Sequence, residues 1–372
     1  MLINKIYGEN IEQGALDQFA SALEQDFTVR GALMADAHQG YSLPIGGVVA
    51  TRDFVLPSWV GYDIGCGMCA LPTTFDAKEI GDRGREIHQE ILKRIPVGFK
   101  HNERPVEADL DTGLLTPVGQ AIFEQKQGFK QLGTLGGGNH FIEIAANEAG
   151  DVWIVIHSGS RGVGHGIAQH YMKTASPTGK ASEGHFGFEV DSSEGQEYLM
   201  DQLFCLRFAL ENRREIMRRI VAAIEANGVT GNASWDHLIN RNHNHVQGRR
   251  DFDGKDIWVH RKGATHAEKG MMGVIPGNMR DGSFIVCGKG DAESLWSSSH
   301  GAGRVLGRKA AKQNLDAREF ELTMQNVIAG EISANTLDES PMAYKNIIDV
   351  MGAQRDLVEV VTHVRPIINV KG

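Results

Sequence analysis

Asp63 and Cys66 stand three residues apart in the glycine-rich run Gly-Tyr-Asp-Ile-Gly-Cys-Gly of residues 61–67. Glycine at this density indicates a tight turn whose backbone adopts positive φ or approaches another group closely. A carboxylate and a thiol on one such turn can face the same point, and a metal ion is the commonest reason for that pairing. The plainer interpretation is a tight connection that carries a solvated Asp and a buried free cysteine.

Histidines stand at other turns and strand ends. Asn139 and His140 follow three consecutive glycines and enter an apolar strand, and His157 is the last residue of a second apolar strand. His243 and His245 are two residues apart, so on a strand they would face opposite sides and only one would serve a single site. A lone histidine at a strand end is more often structural. A mixed set of carboxylate, thiolate and imidazole groups suits a transition metal rather than calcium or magnesium.

His300 lies in a polar loop that we expect to feed a helix beginning near Gly303. Free backbone N–H groups and the helix dipole would favour a phosphate there and would keep His300 neutral and nucleophilic. The three glycines of residues 136–138 suggest close approach to an anion, but they fit neither a Walker loop nor a Rossmann turn. Because a thiolate can bridge two metals and paired metals serve phosphoryl chemistry, these features point to nucleotide or phosphate-ester chemistry.

The elements that would position these groups are predicted from periodicity and turn signals. Apolar residues at three- and four-residue steps predict a helix over 201–227, and shorter helices are expected over 11–26 and 83–94. Strands are expected around 31–38, where Asp36 and His38 lie at the strand end, and over 357–370. We expect an α+β fold over residues 1–372, a single large domain with mixed β-sheets packed centrally and flanked by helices, because candidate site residues come from every part of the chain.

Composition limits the class of protein. With 372 residues, 41% hydrophobic and 23% charged, the chain is typical of a soluble globular protein. Four scattered cysteines are too few for a disulfide framework, so a reducing, cytoplasmic location is expected. Cys66 and Cys69 match half of a zinc ribbon, but a partner pair is missing. The net charge of −9 argues against nonspecific nucleic-acid coating and leaves room for a local basic site.

An ordered set of motifs spans nearly the whole chain and resembles the RtcB-type RNA-splicing ligase family. The motifs are Asp36-Ala-His-Gln-Gly-Tyr, Pro44-Ile-Gly-Gly, Val60-Gly-Tyr-Asp-Ile-Gly-Cys-Gly-Met, Gly133-Thr-Leu-Gly-Gly-Gly-Asn-His-Phe-Ile-Glu, His157-Ser-Gly-Ser-Arg-Gly, His243-Asn, Arg261-Lys-Gly-Ala, Pro276-Gly-Asn-Met, Ser299-His-Gly-Ala-Gly-Arg and Val370-Lys-Gly. The resemblance implies a GTP- and manganese-dependent enzyme. It would join an RNA 3′-phosphate or 2′,3′-cyclic phosphate end to a 5′-hydroxyl end, in tRNA splicing or RNA repair.

The resemblance also implies roles for individual residues. His300 would become guanylylated by GTP and pass the guanylate to the RNA 3′-phosphate. The implied ligands of two manganese ions, with the Cys66 thiolate shared, are Asp63, Cys66, His140, His157 and His243. The implied nucleotide contacts are Asn139, His140, Phe141, Ile142, Glu143, His243, Asn244, Pro276, Gly277, Asn278, Met279, Ser283, His300, Gly301, Ala302, Gly303 and Lys371.

Two departures from the family pattern concern substrate choice. The polar stretch around 97–130 is shorter than in fuller-length bacterial members, and Asn278 stands where many members carry Ser. A metal-dependent phosphodiesterase would use the same metal cluster without a nucleophile at His300, and a catalytically idle RNA-binding relative is a third hypothesis. By analogy with compact members, a release-factor-like protein is a possible partner.

Overall fold

The computed structural model describes residues 4–181, 184–333 and 336–372, and within them helices and several sheets alternate, which confirms the predicted α+β class. The strands are β1 (Asn4–Ile6), β2 (Thr28–His38), β3 (Ile45–Thr51), β4 (Phe54–Val55), β5 (Gly67–Pro72), β6 (Phe141–Ala146), β7 (Val152–Ser158), β8 (Phe188–Glu189), β9 (Ile239–Asn242), β10 (Asn244–Arg250), β11 (Asp256–Lys262), β12 (Ala264–His266), β13 (Met272–Pro276), β14 (Ser283–Gly288), β15 (Ser297–Ser299), β16 (Ile328–Ala329) and β17 (Val358–Lys371).

The helices lie on the outside of these sheets. They are α1 (Gln13–Leu23), α2 (Pro57–Val60), α3 (Ala77–Asp82), α4 (Gly84–Arg94), α5 (Pro117–Gln125), α6 (Gly128–Gln131), α7 (Arg161–Ala175), α8 (Ser193–Ala226), α9 (Arg308–Asn314), α10 (Ala317–Thr323) and α11 (Ile347–Ala353). Short 3₁₀ turns occupy Thr112–Leu114, Trp235–His237, Leu337–Glu339 and Pro341–Ala343. No helix in the described ranges combines the length and the apolar character needed to cross a bilayer.

Two larger sheets carry most of the strands. The first has eight strands in the order β13-β14-β17-β6-β7-β5-β9, and β16 pairs in parallel with β17 at its side. The second has the order β1-β2-β3-β11-β10, with β1 parallel to β2 and the other neighbours antiparallel. Both sheets are therefore mixed, as predicted.

The predicted helix over 201–227 is present but starts earlier, as the 34-residue α8. The Ser192 side chain caps it by accepting a hydrogen bond from the Gly195 N–H. Residues 193–200 lie outside the strongest apolar periodicity, so the sequence pattern alone missed this first part. Apolar residues of α8, among them Ile216 and Ile220, pack with strand residues such as Ile154 in the largest buried cluster. The helix thereby lies across the eight-stranded sheet.

Arg213 of α8 is fully buried and bonds to three segments that carry candidate ligands. Its Nη1 donates to the carbonyl oxygens of Gly65 and Ser158, at 2.9 Å each. Its Nη2 donates to Asn242 Oδ1 at 2.6 Å and its Nε to Asn240 Oδ1 at 2.7 Å. Burial lowers the pKa of Arg213 to about 10, so the side chain stays charged at neutral pH.

Replacing Arg213 by Met should destabilise the protein. The change keeps the length of the side chain but leaves two buried carbonyls and two amide oxygens without their donor, so the free energy of unfolding should fall by about 3–5 kcal/mol. Urea unfolding followed by circular dichroism measures this difference. The matched control is Arg214→Met, at an exposed position of the same helix, which should lie within about 0.5 kcal/mol of the parent protein. Equal losses of unfolding free energy in the two variants would show that the hydrogen bonds of Arg213 do not stabilise the protein.

Candidate active site

Four side chains surround the buried thiol of Cys66. Cys66 Sγ lies 3.1 Å from His157 Nε2 and 3.4 Å from His140 Nε2. His157 Nε2 lies 3.3 Å from His243 Nε2, and His140 Nε2 lies 3.1 Å from Asp63 Oδ2. Ligand atoms of Cys66, His157 and His243 form one compact triple, and those of Asp63, Cys66 and His140 form another. The thiol is shared between the two triples.

Strand register explains this convergence. Gly67 at the start of β5 pairs with Ser158 of β7 on one side and with Asn242 of β9 on the other. Cys66, the residue before Gly67, therefore faces His243, whose N–H donates to the Cys66 carbonyl oxygen at 2.7 Å. His157 pairs with Met68, two residues after Cys66, and so lies diagonally across the two strands from Cys66 on the same face of the sheet. A side chain at position 67 would overlap the carbonyl oxygen of Arg241, so the central strand can come this close only with glycine there.

Backbone carbonyls fix the orientation of two histidine rings. His140 Nδ1 lies 2.9 Å from the Leu135 oxygen, and His157 Nδ1 lies 3.1 Å from the Asn139 oxygen. Because a carbonyl only accepts, both Nδ1 atoms carry the proton and both Nε2 lone pairs face the thiol. Burial lowers the pKa of His157 and of His243 well below the ordinary value, and positively charged neighbours add to the effect, so these imidazoles are neutral.

These residues fit a transition-metal ion. Neutral imidazole nitrogens, a thiol and a carboxylate facing one another at 3.1–3.4 Å leave unshared lone pairs that a cation would satisfy. Burial raises the pKa of Cys66 well above the ordinary value, and the Asp63 carboxylate acts in the same direction. Burial opposes ionisation of Asp63 itself, but the neighbouring His140 and the charge of Arg161 hold its pKa below the usual range. Metal binding must therefore displace a proton from the thiol.

A cavity of about 180 Å³ adjoins the cluster at His157. The residues from the sequence-predicted nucleotide set that line it are Asn139, Phe141, Glu143, Pro276, Gly277, Asn278, Met279, His300, Gly301, Ala302, Gly303 and Lys371. The cavity is therefore built from β6, from the loop after β13, from the loop after β15 and from the end of β17.

The other sequence-predicted nucleotide contacts do not line this cavity. The Ile142 side chain packs in the hydrophobic core, and His140 and His243 point into the thiol cluster. Ser283 is buried behind the cavity and donates to Glu143 Oε1 at 3.1 Å. Asn244 links two loops, since its amide donates to the Asp63 carbonyl oxygen and its side-chain oxygen accepts from the Gly263 N–H.

His300 does not precede a helix, so the prediction of a helix beginning near Gly303 is wrong. Gly303 has φ 73° and packs so closely on the Asp36 backbone that a Cβ would overlap it; α9 begins only at Arg308. A buried carboxylate takes the place of the helix dipole. His300 Nδ1 lies 2.7 Å from Asp36 Oδ2, without the alignment of a hydrogen bond, and the same oxygen accepts from the backbone N–H groups of His300 and Gly301.

Asp36 therefore determines which nitrogen of the His300 ring carries the proton. Burial opposes its ionisation, but the contacts with His300 and a hydrogen bond with Ser299 hold its pKa below the ordinary value. A negative charge beside Nδ1 favours a proton on that nitrogen and leaves Nε2 with a free lone pair. The His300 ring lies 4.8 Å, centroid to centroid, from the ring of His243, so the free nitrogen and the metal-ligand cluster share one site.

Glu339 organises the other side of the cavity. Its carboxylate lies 2.6 Å from Lys371 Nζ, accepts a 2.7 Å hydrogen bond from the Tyr344 hydroxyl and pairs with Arg308 Nη1 at 2.5 Å. Sequence reasoning missed Glu339, Arg308 and Tyr344, which stand in no chemical pattern. It noted Asp36 and His38 at a strand end and in the first family motif but gave neither a role in the site.

Comparisons with known proteins find matches over nearly the whole length of this chain. The profile of a family described as tRNA-splicing ligase RtcB matches residues 18–122 and 116–372. The RNA-splicing ligase RtcB of Escherichia coli strain K12 is 37% identical over 397 aligned residues, which cover 98% of this chain and 96% of that protein. The tRNA-splicing ligase RtcB of Pyrobaculum aerophilum is 28% identical, with 91% of this chain and 87% of that protein covered.

Replacing Cys66 by Ala should abolish metal binding, because the thiol belongs to both donor triples. The purified variant should contain less than about a tenth of the parent's divalent metal, measured by plasma mass spectrometry after loading and desalting. The control is Cys69→Ala, a buried cysteine of the adjoining strand β5 that lies outside the triples. In the parent protein, metal affinity should rise with pH, because the raised pKa of Cys66 keeps the thiol protonated at lower pH. Undiminished metal content in Cys66→Ala would refute the assignment.

Proposed function

The chain belongs to the RtcB family of tRNA-splicing ligases and is an RNA ligase; we propose that it joins RNA 3′-phosphate or 2′,3′-cyclic phosphate ends to 5′-hydroxyl ends at the expense of GTP. The observation that carries the proposal is the arrangement around His300. The His300 imidazole, with a free Nε2, lies beside the two overlapping donor triples. It also lines the cavity formed by most of the implied nucleotide contacts. Hydrolysis of a phosphodiester would need the metal cluster but no such nucleophile.

His300 is the proposed nucleophile. Its Nε2 attacks the α-phosphorus of GTP and pyrophosphate leaves, which gives a guanylylated histidine. The RNA 3′-phosphate then takes the guanylate and frees His300, and attack by the 5′-hydroxyl on that activated end releases GMP. A 2′,3′-cyclic end must first take up water to become a 3′-phosphate. The Asp36 carboxylate holds the Nδ1 proton and stabilises the ring as positive charge develops on it.

Asp63, Cys66, His140, His157 and His243 would hold two manganese ions through the shared thiolate. Bound manganese would supply charge neutralisation at phosphoryl oxygens. The chain adds its own cations. Arg308 and Lys371 line the cavity and are held in place by Glu339, so they can contact the phosphates of a nucleotide without reorganising.

Glu143 is suited to select guanine. It is 1% exposed, lines the cavity and, apart from the Ser283 hydroxyl, meets no strong donor there. Burial raises its pKa to about 8, so the side chain is mostly a neutral acid when the cavity is empty at neutral pH. Guanine presents adjacent N1–H and N2–H donors, which a carboxylate accepts together, whereas adenine presents an acceptor at N1. GTP is therefore the proposed nucleotide.

We further propose that residues 1–372 act as one catalytic domain, since the site draws on residues from Asp36 to Lys371. We propose a cytoplasmic location, because Cys66 must stay reduced to bind a metal and forms no disulfide in the structure. The substrate would be an RNA from tRNA splicing or RNA repair, with a release-factor-like protein as a possible partner.

Incubation with manganese and α-labelled GTP should leave label on the protein after denaturation. The His300→Ala variant should lose this label and all joining of a 3′-phosphate RNA to a 5′-hydroxyl RNA, because no other group supplies the attacking nitrogen. His237→Ala, at an exposed position, is the matched control and should label normally. Labelled His300→Ala protein, or joining without label, would contradict the mechanism.

Guanosine nucleotide affinity should depend on the ionisation of Glu143. With GMP and no divalent metal, the dissociation constant should fall as pH rises from 6 to 8 and level off above the pKa of about 8. Calorimetry at pH 7 in buffers of different ionisation enthalpy should show release of close to one proton. Glu143→Ala should weaken GMP binding about tenfold to a hundredfold, since hydrogen bonds to a charged group are lost. A pH-independent affinity in the parent protein would exclude this role.

A further inference from the structure

Three aromatic rings form a row beside the metal-ligand cluster. The rings of Tyr62 and His165 are stacked, with centroids 5.0 Å apart and planes inclined by 18°. The ring of Tyr41 meets that of Tyr62 edge-on, at 5.8 Å and 82°. Tyr41, Tyr62 and His165, here called the aromatic row, come from the β2–β3 loop, the 61–67 turn and α7. None of them has a part in the mechanism above.

The aromatic row lies close to the metal-ligand cluster at its Tyr62–His165 end. Tyr62 immediately precedes Asp63, whose carboxylate lies 3.1 Å from His140 Nε2. Lys262 Nζ lies 5.5 Å from the centroid of Tyr41. His165 lies one turn beyond Arg161 on α7, and Arg161 is close enough to Asp63 to lower the pKa of that carboxyl. Lys126 is close enough to His165 to lower the pKa of that ring, and the Asp63 carboxylate is close enough to raise it. Positive charge therefore lies at the His165 end of the row, near the metal-ligand cluster.

Solvent reaches the row at Tyr41, which is 61% exposed. The loop that carries it is held from behind, because the Gln18 side-chain amide donates to the Gly40 carbonyl oxygen and accepts from the Gly40 N–H. An exposed ring with Lys126 at the other end of its row has the two features that single-stranded nucleic acid needs: a surface for stacking a base and charge for its phosphates.

On the basis of the proposed function, we propose that the aromatic row stacks an unpaired nucleobase of the terminal nucleotide of the RNA, with Tyr41 offering the ring face and Tyr62 and His165 supporting it. The phosphate of that nucleotide must reach the cluster at Asp63. Because Tyr62 is the residue next to Asp63, the base of the same nucleotide can then reach the row. Stacking would hold the RNA end in register for reaction without reading its sequence, since every base has an aromatic face.

The test compares joining of short single-stranded RNAs by the parent protein and by variants of the row. Tyr41→Ala should raise the KM for RNA about fivefold to a hundredfold, the effect of losing one stacked base. Tyr41→Phe should restore the parent KM within about twofold, because the ring and not the hydroxyl carries the contact. Phe252→Ala, which removes another exposed ring on the β10–β11 turn, is the matched control and should leave the KM unchanged.

Abasic ends make the test specific. If Tyr41 stacks the base of the 3′-phosphate nucleotide, the penalty of Tyr41→Ala should vanish with an RNA that lacks the base at its 3′ end and persist with an RNA that lacks the base at its 5′ end. A parent-like KM in both Tyr41→Ala and Tyr62→Ala, or a penalty that persists with abasic nucleotides at both ends, would overturn the proposal.

Guanylate uptake without RNA, measured on the same preparations, separates the two proposals. Loss of RNA affinity in a variant that still takes up guanylate supports the aromatic row. If the parent protein takes up no guanylate, the proposed ligation mechanism fails, and fluorescence anisotropy with the intact and abasic RNAs still tests whether the row binds a base.

Discussion

The geometry of the site depends on hydrogen bonds made by two adjacent residues of one helix. Arg213 of α8 binds the carbonyls of Gly65 and Ser158 and the Asn242 side chain, which neighbour Cys66, His157 and His243 respectively. Asn212 binds Thr134 and the Ser158 hydroxyl, next to the glycine-rich turn that leads to His140. Because these carbonyls are buried, losing their donor would cost more than the bonds themselves. The helix thus sets the relative positions of loops that otherwise have little regular structure.

Burial determines the protonation of the site as well as its shape. Among the cluster residues, burial favours neutral imidazoles at His157 and His243 and a neutral thiol at Cys66. Charged groups persist only where a partner compensates, as for Asp36 beside His300 and Glu339 beside Lys371 and Arg308. These three cluster residues are therefore neutral, and the Cys66 thiol would lose its proton when a cation binds. The charged residues of the cavity wall, in contrast, are already paired with one another. It also explains how an acidic chain of net charge −9 can receive anionic substrates.

The sequence revealed the residues with distinctive chemistry but not the contacts between distant parts of the chain. Glycine density and strand ends singled out Asp63, Cys66, His140, His157 and His243, and the β5 register that unites them became visible only in the structure. Asp36 and His300 are 264 residues apart, so no local pattern could pair them. The helix near Gly303 was predicted from local signals, which tertiary packing on the Asp36 backbone overrides. Similarly, the start of α8 depends on the Ser192 cap rather than on apolar periodicity.

The position of β17 in the large sheet bears on how the protein is made. Residues 358–371 lie between β14 and β6, although every other strand of that sheet precedes them in the chain. Residues as far as β17 must therefore leave the ribosome before the middle of this sheet can close, and Lys371 joins the cavity only in that last event. Until then the facing edges of β6 and β14 have no partner, which exposes the nascent chain to mispairing. Completion of the cavity wall at Lys371 is thus coupled to completion of the sheet.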